Sequence, residues 1–168
     1  SYPLHDGSGT ATFPHHYIYK WFDSTAVVST LKSDLNYTLF RLADGELMYA
    51  EASNRAEGSP NATALQSVND IRKRAGLAPI GAMSQANFEH EVWSQRYFEL
   101  CFENKMWFDI VRTQKIRNDA TGNWDDFVGS QMIPGVTFAE KNLLFPISLV
   151  DLNANPNLAP NNPGWPDH

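Results

Sequence analysis

Two glutamates, Glu99 and Glu103, are the residues of this sequence whose types and spacing could do chemistry. They lie four residues apart in a predicted helix, where side chains at this spacing share a face, so they could act as acid and base in glycoside hydrolysis. Arg96 and Arg112 lie in the same stretch. Arginines within helical reach would neutralise buried carboxylates, which must be paired. The sequence leaves two interpretations open, a catalytic pair or a structural network, and the arginines favour the structural one.

The segment from Arg96 to Arg112 has the pattern of a helix that is buried on most sides. Its charged residues share a face with apolar residues, whereas an amphipathic surface helix separates the two kinds. Arg96 and Glu99 are spaced as an i, i+3 ion pair, and Asp109 and Arg112 repeat that spacing. We therefore predict a structural charge network that consists of Arg96, Glu99, Glu103, Asp109 and Arg112.

Composition limits the class of protein. The chain has 168 residues, 42% of them hydrophobic and 19% charged, which is typical of a folded globular protein of one domain. A net charge of -6 argues against nucleic acid as a partner, because phosphate binding needs clustered Lys and Arg. No stretch approaches the roughly 20 apolar residues of a membrane helix. Cys101 is the single cysteine, predicted to be buried, and it excludes an intrachain disulfide and a cysteine-based zinc site.

Three histidines near the N-terminal end are the candidates for a metal site. His15 and His16 are adjacent in a segment, Phe13 to Phe22, that is predicted to be extended, so their side chains point apart. His5 could supply a third ligand, but nothing in the sequence fixes the geometry that zinc requires. We predict no metal and no cofactor.

Hydrophobic periodicity predicts a helical core. The predicted helices are residues 39–57, 60–75, 84–103 and 106–113. The first two are closed by Gly58 and Gly76 as left-handed caps, and Ser59 and Pro60 are predicted to begin the second. A short connection between them predicts a helical hairpin of the tetratricopeptide (TPR) type. The residues predicted to face the core are Leu39, Ala43, Leu47 and Ala50, widened by Phe40, Met48 and Ala52, and then Ala64, Val68, Ile71 and Ala75.

The rest of the chain is predicted to be irregular. Residues 1–38 form a lead-in, residues 117–142 a long loop, Leu143 to Ile147 a short buried extended run, and residues 153–168 a strap rich in Asn and Pro. The predicted class is mainly α: a TPR-like hairpin plus a further buried helix, with long irregular loops and the C-terminal strap. We expect one domain over residues 1–168, with a lead-in (1–38), a helical core (39–115) and a loop and strap (116–168).

Five blocks of sequence follow one another in a characteristic order. They are RLADGELMYAEA (41–52), VNDIRKRAG (68–76), RxxELxFExxxWFDxVR (96–112), LFPI (144–147), and NPNL with NPG (155–158 and 162–164). Together they resemble the C-terminal region of the SusD/RagB family, glycan-binding outer-membrane lipoproteins of Bacteroidota. The chain departs from the family pattern at Ser148, Asn161 and Trp165.

The resemblance implies a protein without catalytic groups that binds oligosaccharide at the cell surface, on the outer membrane. It also implies delivery of the glycan to a SusC-like TonB-dependent transporter. Family members are longer, with a lipidated N-terminal cysteine and further TPR-like repeats upstream. We expect that upstream part, if present, to be a second partner. We expect membrane attachment only through a lipid anchor, and we expect that anchor to be absent from this chain.

Sugar binding uses aromatic faces for the C–H surfaces and amides or carboxylates for the hydroxyl groups. Trp124 lies among polar residues in a predicted loop, so the predicted glycan contacts are Trp124, Asn123, Asp125 and Tyr17. Tyr19 and Trp21 have the same chemistry, but covering the helices is favoured for them. The alternative function is a TPR-like protein-interaction module with no glycan site in these residues.

Overall fold

The chain forms two compact units, residues 1–105 (unit 1) and 106–168 (unit 2), which are described separately. The computed structural model describes residues 2–3, 10–11, 18–23, 32–131 and 134–166. Within those residues the α-helices are α1 (Leu42–Glu57), α2 (Ala62–Arg74), α3 (Gln85–Glu99), α4 (Met106–Thr113) and α5 (Leu149–Ala154). The strands are β1 (Tyr2–Pro3), β2 (Thr10–Ala11), β3 (Lys115–Arg117) and β4 (Trp124–Asp126). The mainly α class is confirmed, and one domain over residues 1–168 stays a prediction.

The helical hairpin of unit 1 consists of α1 and α2, joined by residues 58–61. Gly58 closes α1 at φ +76°, where a residue without Cβ is not strained, as predicted. The predicted start of α2 at Ser59 and Pro60 is wrong. Asn61 is the N-cap, because its side chain accepts a 2.8 Å hydrogen bond from the Ala64 amide, and the helix begins after it.

The core of unit 1 lies where α3 crosses the hairpin. Its fully or almost fully buried apolar residues are Leu47, Ala50, Ala64, Val68, Ile71, Phe88 and Val92. The residues that were predicted to face the core at the centres of α1 and α2 are therefore buried.

Other residues that were predicted to face the core are exposed, and for them the prediction is wrong. Arg41 has extended backbone (φ -146°, ψ 164°), so α1 begins at Leu42, and Leu39 and Phe40 precede the helix and are exposed. Met48 is 49% exposed, and Ala52 is also exposed. Ala75, which follows the last residue of α2, is exposed too.

Helix α3 begins as predicted at Ser84, whose hydroxyl accepts a hydrogen bond from the Asn87 amide at 3.3 Å. It ends at Glu99 and not at the predicted Glu103. The cause is backbone geometry: Phe102 (φ 64°) and Asn104 (φ 58°) are left-handed, which no continuing helix allows. The predicted burial of Cys101 is wrong, because this turn leaves the thiol half-buried.

Unit 2 contains α4, a β-hairpin and the C-terminal segment. Strands β3 and β4 pair antiparallel with Arg117 opposite Trp124, so the prediction of one loop over residues 117–142 is wrong there. Ile110, Ile116 and Phe127 form a small core, with Trp107 packed against it.

The run from Leu143 to Ile147 of unit 2 was predicted to be buried, but its three central residues are exposed and its two ends are half-buried. Leu144 and Phe145 are 55% and 67% exposed, respectively. The backbone of this run bonds to side chains of the strap and not to a strand: Asn161 Oδ1 accepts from the Ile147 amide at 2.8 Å, and Asn162 Nδ2 donates to the Phe145 carbonyl at 2.6 Å. The strap is otherwise irregular, apart from the end of α5 and one 3₁₀ turn, Pro156–Leu158.

The lead-in contains a 3₁₀ turn, Tyr19–Trp21, within the segment that was predicted to be extended. That prediction is wrong for the turn, although Ile18 and Phe22 on either side have extended backbone. His5, His15, His16 and Tyr17 lie outside the described residues.

The two phenylalanines of α3 provide a test of the core. Phe88→Ala removes a ring that is 0% exposed, so we expect the free energy of unfolding to fall by about 3–5 kcal/mol. Phe98→Ala is the same chemical change on the same helix at a ring that is 59% exposed, and should cost less than about 1 kcal/mol. Urea denaturation followed by circular dichroism measures both. Equal losses would contradict this placement of the core.

Candidate functional site

A cleft of about 320 Å³ opens in unit 1 beside the C-terminal end of α3, and we call it the α3 cleft. It lies where helix ends meet, because Glu99 is the last residue of α3, Arg74 is the last residue of α2 and Arg41 directly precedes α1. Its lining residues are Lys20, Trp21, Thr38, Arg41, Arg74, Phe98, Glu99 and Glu103. The α3 cleft combines aromatic rings, a hydroxyl group and charged side chains.

The two carboxylates of the α3 cleft are buried and bound by cations. Glu103 accepts from Arg41 Nε at 2.8 Å and from Lys20 Nζ at 2.6 Å. Glu99 accepts from Arg41 Nη1 at 2.5 Å and from Arg74 Nη2. The carboxylate side chains are only 5% and 6% exposed, so their charges require these partners.

The protonation of Glu103 follows from this geometry. Burial alone would raise the pKa of Glu103, but the hydrogen bonds from Arg41 and Lys20 outweigh it and hold the pKa below its usual value. The pKa of Arg41 is raised, chiefly by its hydrogen bond to Glu103. A general acid of a glycosidase needs a raised pKa, so Glu103 has the opposite of the required property.

The 3₁₀ turn closes the end of α3. Lys20 Nζ donates to the carbonyl oxygens of Glu99 (2.9 Å) and Cys101 (3.0 Å) as well as to Glu103. Trp21 Nε1 donates to the Phe102 carbonyl at 2.9 Å. These side chains satisfy carbonyls that the end of a helix leaves without a partner. They also hold Trp21 at the α3 cleft.

Aromatic rings form two walls of the α3 cleft. Trp21 is half-buried and stacks on Tyr37, with ring centroids 4.9 Å apart and planes 11° apart. Phe98 is 59% exposed. A fixed indole and an open phenyl ring offer the apolar faces on which the C–H surface of a sugar can stack.

A second buried charge group of unit 1 explains the role of Arg96. Its Nη1 donates to Asp44 Oδ1 at 2.9 Å, and Lys105 Nζ lies 3.1 Å from Asp44 Oδ2. Arg96 and Asp44 are 7% and 2% exposed. The contact ties α3 to the first turn of α1.

The predicted charge network is found in part: the Asp109–Arg112 ion pair forms as predicted, but Glu99 and Glu103 have partners that were not predicted. Glu99 and Glu103 accept hydrogen bonds from Lys20, Arg41 and Arg74, three cations that the sequence pattern did not indicate. Arg112 belongs to unit 2, where its Nε donates to Asp109 at 2.7 Å. Local spacing could not identify Lys20 and Arg41, because they are 83 and 58 residues away from the carboxylates that they bind.

The predicted glycan contacts lie on the hairpin of unit 2. Trp124 is half-buried at the first position of β4, and Asn123 and Asp125 on either side of it are exposed. Asp125 accepts a hydrogen bond from Asn118 Nδ2 at 2.9 Å. Tyr17, the fourth predicted contact, lies outside the described residues.

Other kinds of site are not seen in the part of the chain that the structure describes. No group of three or more His, Cys, Asp or Glu side chains there is placed to hold a metal ion. No helix among the described residues is both long enough and apolar enough to cross a membrane.

Comparison with known proteins identifies the family. The model of the SusD family matches residues 2–165. The chain belongs to the SusD family. A SusD-like protein of Formosa agariphila, P2, is 32% identical over 162 residues, which are 90% of this chain and 30% of that protein.

Solved structures of other proteins share the fold. A SusD superfamily protein from Parabacteroides distasonis superposes with a TM-score of 0.84 at 52% identity, over 89% of this chain and 31% of that one. Surface glycan-binding protein A from Bacteroides uniformis superposes with a TM-score of 0.64 at 27% identity, over 80% of this chain and 29% of that one. The chain therefore spans about three tenths of the length of these relatives.

The charge group of the α3 cleft leads to a stability prediction. Glu103→Gln leaves Arg41 and Lys20 with one anion fewer, so we expect the free energy of unfolding at pH 7 to fall by about 2–3 kcal/mol. That is below the 3–5 kcal/mol of a fully buried pair, because the side chains of Lys20 and Arg41 are 35% and 29% exposed. Exposed Glu140→Gln is the control and should change the free energy by less than about 0.5 kcal/mol.

The pH dependence of that loss is a separate check. The folded-state pKa of Glu103 is lowered, so its contribution is fully present above the unfolded-state pKa of about 4.3 and is lost as pH falls through the folded-state pKa. The gap between wild type and Glu103→Gln should be constant from neutral pH to about pH 5.5 and then shrink. A gap that widens in acid would contradict the hydrogen-bonded carboxylate.

Proposed function

We propose that the chain is the oligosaccharide-binding, non-enzymatic part of a SusD-type surface protein that delivers glycan to a SusC-like TonB-dependent transporter of the outer membrane. The observation that carries the proposal is the α3 cleft, in which Trp21 and Phe98 lie beside charged and hydroxyl groups. Its size is within the range of small-ligand sites. The likeness to surface glycan-binding protein A of Bacteroides uniformis supports it.

The proposal assigns the carboxylates a structural role. A glycosidase needs one carboxyl group that can give up a proton and a second that can reach water or the sugar. Glu99 and Glu103 are each held by two cations, and the pKa of Glu103 is lowered. Their arrangement supports binding without hydrolysis.

Phe98→Ala tests the α3 cleft as the glycan site. Loss of a stacking ring should weaken binding by about 3- to 10-fold, while the fold is retained because the ring is exposed. Isothermal titration of the protein with malto-, xylo-, laminari- and galacturonate oligosaccharides measures the change for each glycan that binds. Phe108→Ala, on α4 and 66% exposed, is the matched control and should bind as wild type does. If no glycan of the set binds, or if the two variants bind equally, the α3 cleft is not the site.

The hairpin of unit 2 is a second candidate contact. The indole ring of Trp124 offers an apolar face to a sugar, and Asn123 and Asp125 beside it can bond to hydroxyl groups. Tyr17 also stays a proposed glycan contact. Trp124→Ala should weaken oligosaccharide binding several-fold, with Phe108→Ala again as the control. An unchanged titration would remove Trp124 from the site.

A protein-interaction module is the alternative function. Leu39, Phe40 and Leu42 are 67%, 74% and 77% exposed, next to a TPR-like hairpin. A cluster of this kind is typical of a protein-binding surface. Under this alternative we expect the chain, used as bait in a pull-down, to retain the part of the Parabacteroides distasonis relative that this chain does not match. We also expect it to bind no sugar. Lack of retention would count against it.

A further inference from the structure

Positive charge is in excess in the α3 cleft, although the whole chain carries a net charge of -6. Of the described residues that line it, three are cations and two are carboxylates. The cations are Lys20, Arg41 and Arg74, and the carboxylates are Glu99 and Glu103. A lining with excess positive charge attracts anions even on an acidic protein, because local charge dominates within a Debye length of about 10 Å.

Two of the three cations already have their partners. Lys20 Nζ has three N–H groups, and it donates to three acceptors, the carbonyl oxygens of Glu99 and Cys101 and the carboxylate of Glu103. Arg41 engages each of its three nitrogens with Glu99 or Glu103. Both therefore serve the fold.

Arg74 is the cation of the α3 cleft whose N–H groups are not all hydrogen-bonded to described residues. Its Nη2 donates to Glu99, and its Nε and Nη1 have no partner among the described residues. Its side chain is 64% exposed, against 29% for Arg41. One end of the guanidinium is thus fixed at the wall of the α3 cleft, and its other donors remain open.

The backbone at the end of α2 does not oppose an anion there. Carbonyl groups at a helix C-terminus carry partial negative charge, which would repel an anion near Arg74. The Leu77 amide donates to the Arg72 carbonyl at 2.8 Å, and the Gly76 amide donates to the Lys73 carbonyl at 3.1 Å. This closing turn satisfies the carbonyls next to Arg74.

We propose that the α3 cleft selects an acidic oligosaccharide, whose carboxylate or sulfate group binds the open donors of Arg74 while its sugar ring packs on Phe98. Each open N–H group of the guanidinium can give a charge-assisted hydrogen bond to an oxygen of a carboxylate or sulfate group. Phe98 lines the same cleft and supplies the apolar contact. This inference rests on the proposed function, because it names the class of glycan for the same site.

The test compares one sugar with and without its charge. Trigalacturonate and its fully methyl-esterified form have the same rings, and isothermal titration at low salt measures both. We expect the acid to bind about 10- to 100-fold more tightly, the gain of a charge-assisted pair, and this preference to shrink as salt is raised. A sulfated galactose trisaccharide compared with its unsulfated form tests the second source of negative charge.

Arg74→Gln and Lys73→Gln separate the site from general attraction. Both remove one positive charge at neighbouring positions of α2, but only Arg74 lines the α3 cleft. Arg74→Gln should abolish the preference for the acidic form and leave the neutral form unchanged, whereas Lys73→Gln should retain it. Urea denaturation of both variants shows whether each remains folded.

The outcomes distinguish the two proposals. If neutral sugars bind as tightly as acidic ones, the selection of acidic glycan is wrong and the proposed function stands. If Lys73→Gln reduces the preference as much as Arg74→Gln does, the attraction is general and the assignment to Arg74 is overturned. If no saccharide of either kind binds, the proposed function fails together with the inference.

Discussion

Unit 1 depends on the ion pairs and hydrogen bonds that the guanidinium group of Arg41 makes. Arg41 binds the side chains of Glu99 and Glu103 and the carbonyl of Glu99, and it directly precedes α1. One side chain thereby joins the start of the hairpin to the end of α3. Together with Lys20 and Arg74, it balances the charge of two carboxylates that are almost fully buried. Removal of Arg41 would leave each of these buried carboxylates with one cation instead of two, which costs free energy in the folded state.

This charge group connects fold and function. Lys20, fixed on Glu103 and on the carbonyls after α3, holds the 3₁₀ turn in place, and that turn carries Trp21 to the α3 cleft. The same ion pairs disfavour Glu103 as a general acid, because they lower the pKa of its carboxyl group. The consequence is a cleft with aromatic walls in which Glu103 is held in its ionised form.

The sequence predicted the features of the fold that depend on near neighbours. The caps at Gly58, Gly76 and Ser84 follow from backbone conformation and local hydrogen bonds, and helical periodicity identified the core positions around Val68. The family resemblance identified the SusD family, which the matched residues 2–165 confirm.

What could not be predicted depends on distant parts of the chain. The carboxylates were recognised as a pair, but Arg41 lies 58 residues from Glu99, beyond any helical spacing rule. The three-residue strands β3 and β4 are too short to show alternation, so Trp124 was assigned to a loop. The LFPI run is apolar, and nothing in the neighbouring sequence predicts that Phe145 is exposed.

Nuclear magnetic resonance titration tests the central claim most directly, since it locates the bound sugar without any substitution. Backbone amide and indole N–H shifts are recorded while an oligosaccharide that binds in the titration set is added. The account predicts shifts concentrated at Trp21, Thr38, Arg74 and Phe98, the open lining of the α3 cleft. Shifts confined to other parts of the chain, with these four residues unchanged, would contradict it.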